Sequence, residues 1–198
     1  MSHYFDPAPG APSRPAHVQL RLRDLQVELA VDRGVFSAGA VDAGTLELLR
    51  ADPGPDAVGD LLDLGCGYGP IAVTLARRHP DSTVWAVDVN QRALDLATAN
   101  AGALGLADRV RAVHPAEVPA SVQFGGIWSN PPIRIGKAAL QELLREWLPR
   151  LAPAASAWLV VQRHLGADSL ADWLGREGWA VTRVGSRKGY RLLEVTRP

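Results

Sequence analysis

Along the chain the spacing of apolar positions changes several times, and each change predicts an element. Between residues 17 and 31 they alternate, with Val18, Leu20 and Leu22 and then Leu25, Val27, Leu29 and Val31 apolar. The alternation slips by one place at Arg23-Asp24, which predicts two short strands and a turn, a β-hairpin at the edge of the domain. Asp42 is placed to cap a helix that runs to about Arg50, and Asp52-Pro-Gly-Pro ends it. From Val58 onward short apolar runs alternate with helical patterns. Strands are predicted at 60–64, 83–87, 110–113, 126–129 and 156–161, and helices at 70–79, 90–104, 137–151 and 167–177. The last two strands, 180–184 and 191–196, have no helix between them and form an antiparallel hairpin across 185–189.

Repeated strand–helix units require a mostly parallel sheet covered on both faces. The predicted fold is therefore α/β, a Rossmann-like doubly wound sheet of seven strands with an antiparallel C-terminal hairpin and an added N-terminal β-hairpin. Residues 1–15, with four prolines, read as an irregular arm, and 16–198 as a single domain.

Composition narrows the function. The 198 residues carry 21 basic and 21 acidic side chains, a net charge of zero, and 47% hydrophobic residues. That balance excludes a disordered polyelectrolyte and a blanket binder of nucleic acid. A single cysteine excludes an internal disulfide and a thiolate metal cluster, and no metal site is expected. No run approaches the roughly 18 apolar residues of a membrane span, and the start lacks signal-peptide form, so a cytoplasmic setting is expected.

Two corners carry the chemistry. Asp63-Leu-Gly65-Cys-Gly67-Tyr-Gly69 follows a strand and opens a helix, where glycines let backbone approach a ligand and unpaired N–H groups face it. Asp88 ends the next strand, where an acidic residue reaches ribose hydroxyls. Gly67-x-Gly69-x-x-Ala72 satisfies the looser dinucleotide pattern, but Asp63 would repel a pyrophosphate and would welcome a cationic ligand with a free amino group. Ser129-Asn130-Pro131-Pro132 ends the fourth parallel strand, where open α/β sheets place their ligands. Two prolines fix two φ angles and remove two donors, so the Asn130 side-chain carbonyl and the Pro131 carbonyl form a rigid pair of acceptors for the hydrogens of a planar amine.

Together Asp63-Leu-Gly-Cys-Gly-Tyr-Gly-Pro, Asp88 and Asn130-Pro-Pro resemble class I S-adenosylmethionine-dependent methyltransferases that act on a planar amino nitrogen. The finer resemblance is to small-domain relatives of bacterial small-subunit (16S) ribosomal RNA guanine-N2 methyltransferases. It rests on Gly34-Val-Phe-Ser37, Val41-Asp-Ala-Gly-Thr45, Asn130-Pro-Pro-Ile-Arg-Ile-Gly-Lys137 and Lys188-Gly-Tyr-Arg191. The resemblance implies that Gly65, Gly67 and Gly69 wrap the methionine part of the cofactor, with Asp63 at its amino group. Asp88 would take the ribose hydroxyls, Val89 and Asn90 would flank the adenine, and Phe36 and Ser37 would close the site. Asn130 and Pro131 would hold the target amine as catalytic residues, beside Pro132, Ile133, Arg134, Lys137 and Tyr190 on the substrate side. The implied partner is ribosomal RNA or the small subunit. Larger relatives carry a second half, so recognition falls to this domain alone, to a homodimer or to a partner.

Three departures accompany it. The adenine-side position is occupied by His114-Pro-Ala-Glu117, which leaves Glu117 and His114 as candidates for the adenine amine. Gly125-Gly126 stands where an Asp commonly precedes the strand, and Ile133 replaces a stacking aromatic. Arg183, Arg187, Lys188, Arg191 and Arg197 make the last hairpin basic, which reads equally as a phosphate-contacting lip or a solvated edge. The six tryptophans read as core. Two rival functions share the fold: a methyltransferase for another amine (protein glutamine or a small molecule), and a catalytically silent RNA-binding module.

Overall fold

The computed structural model describes residues 13–33, 35, 39–51, 53–55, 59–132 and 135–198. Phe36, Ser37, Ile133 and Arg134, and all of the expected arm except 13–15, lie outside the described residues.

The N-terminal hairpin pairs β1 (Ala16–Arg21) with β2 (Gln26–Val31), Val18 opposite Leu29, around the predicted turn. It forms a separate two-stranded sheet. Leu20 and Leu29 are fully buried, and burial of that size is worth about 1.5–3 kcal/mol for each side chain. Arg78 grips Asp24 at the hairpin turn through two bonds of 2.7 and 2.8 Å.

The main body comprises α1 (Ala43–Ala51), β3 (Asp60–Leu64), α2 (Pro70–Arg78), β4 (Val84–Val87), α3 (Gln91–Ala103), β5 (Val110–Val113), β6 (Phe124–Ser129), α4 (Lys137–Trp147), β7 (Ser156–Gln162), α5 (Ala167–Arg176), β8 (Ala180–Arg187) and β9 (Tyr190–Thr196). Its seven strands lie in the order β5-β4-β3-β6-β7-β9-β8. Strands β3 to β7 run parallel to one another, while β9 runs antiparallel between β7 and β8. Strand alternation splits the core in two. Leu61, Val84, Trp128 and Val160 face α1, α2, α3 and the hairpin, whereas Leu62, Leu64, Ile127 and Leu159 face α4 and α5. Trp85, Trp128, Trp147, Trp158 and Trp173 are all buried.

Three element boundaries differ from the sequence pattern by more than one residue. The helix expected over 137–151 ends at Trp147 and continues as a short 3-10 turn, Leu148–Arg150, around Pro149, which cannot donate to the helical ladder. Strand β6 starts at Phe124, two residues early. Strand β8 runs on to Arg187, because its end is polar and exposed and hides the alternation. The register shifts between Arg183 and Gly185, and a two-residue turn at Lys188-Gly189, both at positive φ, closes the hairpin.

Chain order reverses between β3 and β6. Chains leaving these neighbouring strands diverge there, opening a crevice at their C-terminal ends. Ser129 Oγ ties the two strand ends together by donating to the Leu64 carbonyl at 2.7 Å.

Candidate active site

The glycine loop begins where β3 ends. Gly65 and Gly67 have φ of 77° and 54°, and Gly69, at 88°, leads into α2 with Pro70 in its first turn. Gly65 and Cys66 both donate to the Val87 carbonyl, at 2.8 and 3.0 Å, which draws the loop across to the end of β4. Asp88 completes that junction. One carboxylate oxygen accepts Gly67 N–H and the other accepts Asn90 N–H, each at 2.9 Å. Burial raises the Asp88 pKa, while N–H groups of Asn90, Gly67 and Val89 oppose the rise. Asn90 caps α3, its side chain accepting Arg92 N–H at 3.0 Å.

Asp63 lies beneath this loop and is fully buried. Its Oδ2 accepts the Ala72 N–H of α2 at 2.9 Å, and its Oδ1 has no partner among the described residues. Burial pushes its pKa up to about 8; the Ala72 bond acts against this and the nearby Asp88 charge adds to it. An orphaned carboxylate oxygen in an apolar wall costs free energy until a donor meets it, and a cationic amine is the best such donor. Cys66 is buried and its thiol is pushed well up by desolvation and then by Asp88 and Asp63, so it is no nucleophile at neutral pH.

The N-terminal hairpin is stitched to this region. Asn100 of α3 is buried; its amide accepts Ala30 N–H at 2.7 Å and donates to the carbonyls of Ala30 and Tyr68, both at 2.9 Å. Val35 follows the hairpin, and a Cβ placed on Gly67 would lie 3.9 Å from its Cγ1. Sequence reasoning missed Asn100; a polar residue flanked by alanines in an Ala-rich helix was its only signal.

The second corner closes the crevice from β6. Asn130 is half-buried, and its Nδ2 donates to Asp42 Oδ1 at 2.7 Å and to Thr45 Oγ1 at 3.1 Å. Pro131 is buried, and Pro132 reaches the glycine loop, where a Cβ built on Gly65 would sit 3.8 Å from its Cδ. Asp63, Gly65, Gly67, Gly69, Asp88, Asn130, Pro131 and Pro132 thus gather at the crevice. Gly126 is explained by packing: an added Cβ would come within 2.5 Å of the Trp128 ring.

Other expected contacts point elsewhere. Glu117 is exposed and accepts His114 N–H at 2.8 Å, capping the 3-10 turn Pro115–Glu117, while His114 Nδ1 accepts Ala116 N–H. Tyr190 accepts a hydrogen bond from Gln162 Nε2 at 2.9 Å and lays its ring edge where a Gly44 side chain would be. Lys137, exposed, opens α4 just past the corner. In the basic hairpin, Arg183 and Arg191 each reach Asp168 at 2.7 Å, and Arg187 and Lys188 approach Glu47 at 3.7 and 3.5 Å. Among the described residues no acidic, histidine or cysteine group could hold a metal, and no helix is long and apolar enough to cross a membrane.

The chain is similar to known proteins. The uncharacterized protein YbxB of Bacillus subtilis (strain 168) is 32% identical, covering 98% of each chain. Ribosomal RNA small subunit methyltransferase C of Stutzerimonas stutzeri (strain A1501) is 33% identical over 89% of this chain and 57% of its own length. The structure of the T. thermophilus 16S rRNA N2 G1207 methyltransferase (RsmC), in complex with AdoMet and guanosine, superposes with a TM-score of 0.75. It is 26% identical, over 96% of this chain and 52% of that one. The chain therefore spans about half the length of these RsmC relatives. The methyltransferase small domain family matches residues 26–194, and the chain belongs to that family, whose members use S-adenosylmethionine.

Proposed function

We propose that the protein is an S-adenosylmethionine-dependent N-methyltransferase acting on an exocyclic amine, the N2 of a guanine in small-subunit ribosomal RNA. The observation that carries this reading is the meeting of the two corners: Pro132 packs against the glycine loop, so an amine held at Asn130-Pro131 faces whatever that loop holds. The orphaned Asp63 Oδ1 fits a cofactor with a free ammonium group, and Asp88 fits a ribose diol. Gly65, Gly67 and Gly69 would line the methionine portion, and Val89 and Asn90 the adenine.

When bound, the cofactor supplies a sulfonium methyl that the amine's lone pair takes as the S–C bond breaks, giving S-adenosylhomocysteine and an ammonium that passes its extra proton to water. The chain's own part is orientation. Asn130 Oδ1 and the Pro131 carbonyl accept one amine hydrogen each, which turns the lone pair toward the glycine loop. Removing rotational freedom from a weak nucleophile is a large share of such catalysis. No strong base is required before attack. A stacked or paired guanine must be turned out to enter, and the exposed Lys137 that opens α4 is available to its phosphates.

The test is incubation of the protein with labelled S-adenosylmethionine and small ribosomal subunits from cells lacking guanine-N2 methylation, followed by nucleoside analysis. N2-methylguanosine that appears with the wild type and is absent with Asn130→Ala is the expected result. Label in ribosomal protein instead of RNA would overturn the guanine assignment in favour of a glutamine amide.

A further inference from the structure

We infer that Asp42 and Thr45 are positioning residues for Asn130: they fix which end of its amide faces the acceptor amine. The inference rests on the methyl-transfer reading above. An asparagine amide has a donor end and an acceptor end that differ only by a half-turn about χ2, and only the acceptor end holds an amine hydrogen. Here Nδ2 spends one N–H on Asp42 Oδ1, at 2.7 Å, and the other on Thr45 Oγ1, at 3.1 Å. Both donors are then used, and Oδ1 is the end left for the amine. The half-turned amide would set Oδ1 against a carboxylate oxygen at that distance, two acceptors with no proton between them. The Asp42 charge also polarises the amide and strengthens Oδ1 as an acceptor.

The clamp is built from a part of the chain 88 residues away in sequence. Asp42 is the residue that starts α1, with Oδ1 also accepting Thr45 N–H at 3.1 Å and its carbonyl accepting Leu46 N–H at 2.9 Å. Helix α1 is held in turn by buried Leu48 and Leu49 and by the last hairpin. A Cβ on Gly44 would fall 2.7 Å from Tyr190 Cε1, so only glycine lets the ring come so close, and Gln162 fixes that ring by its hydroxyl. Val41-Asp-Ala-Gly-Thr45 and Lys188-Gly-Tyr-Arg191 thereby acquire one joint purpose: they hold the α1 N-terminus so that its first turn grips Asn130.

Capping and clamping are separable by substitution. Asp42→Ser keeps a good helix cap, but its side chain is too short to reach Asn130; Asp42→Asn keeps both the cap and an acceptor of the right length. With small ribosomal subunits as acceptor, Asp42→Ser is expected to lower kcat at least tenfold and to leave the KM for S-adenosylmethionine within twofold. Asp42→Asn is expected to restore most of kcat. Substrate-free, the Asn130 side-chain 15N–1H pair, assigned through Asn130→Ala, is expected to show two shifted, exchange-protected protons in the wild type, and in Asp42→Ser the proton that met Asp42 is expected to move to a free-amide position. An unchanged Asn130 amide signal in Asp42→Ser, or an unchanged kcat, would overturn the clamp. A wild type that methylates no RNA but shows the shifted amide would sink the substrate reading and leave the clamp standing.

Discussion

Replacing Asp63 by asparagine should change how stability depends on pH. The carboxyl group is fully buried, and its pKa stands at about 8 against an ordinary value of 3.8. Between those values the folded chain holds a proton that the unfolded chain has released. Stability from this group is thus fully present below about pH 4 and is lost as pH rises through 8. At 1.36 kcal/mol per pH unit the loss between pH 5 and 7 is about 3 kcal/mol, a large part of a domain's total stability. The amide of Asp63→Asn would keep an oxygen for the Ala72 N–H and has nothing to ionise. Urea unfolding of wild type and Asp63→Asn in half-unit steps of pH should give curves that diverge by about 3 kcal/mol across that window, the variant gaining on the wild type as pH rises. Groups common to both proteins cancel in the difference. Saturating S-adenosylhomocysteine should flatten the wild-type curve, since an ammonium facing Oδ1 stabilises the charged form. Parallel curves in the absence of ligand would refute the reasoning, because they would mean that Asp63 is already ionised and partnered.

Two further substitutions test the frame around the site. Asn100→Ala leaves the part-buried backbone groups of Ala30 and the buried Tyr68 carbonyl without this partner, and should cost about 2–4 kcal/mol in urea unfolding while raising hydrogen exchange at Ala30. Gly126→Ala drives a methyl into the Trp128 ring and should cost about 1–3 kcal/mol, with a change in tryptophan emission; a neutral effect would mean that the ring has room to move.

How much of this was legible in the chain follows from what each feature depends on. The glycine loop depends on neighbours in sequence, a strand before and a proline-started helix after, so the place of Gly65, Gly67 and Gly69 between β3 and α2 was readable. Asp88 and the Asn130 corner were readable because strand ends repeat at regular spacing. Asp42 was visible as a cap and no more, since its hold on Asn130 crosses from α1 to β6, a pairing no local pattern encodes. Tyr190 read as a residue on the substrate side, but its place depends on the absence of a side chain at Gly44 on a distant helix. Glu117 looked available to an adenine because sequence does not show that its carboxylate folds back onto His114. The end of β8 was missed for the opposite reason: Gly-Ser-Arg on an exposed edge carries no apolar alternation to reveal a strand.

Whether the β3 and β4 ends form a site for S-adenosylmethionine is decided by one calorimetric titration. Wild type and Asp88→Ala would each be titrated with S-adenosylhomocysteine at pH 7.5. Saturable one-to-one binding by the wild type is expected, weakened at least tenfold in the variant, which loses the carboxylate proposed for the ribose together with the brace on Gly67 and Asn90. Absence of binding by a folded wild type, or equal binding by the variant, would contradict such a site.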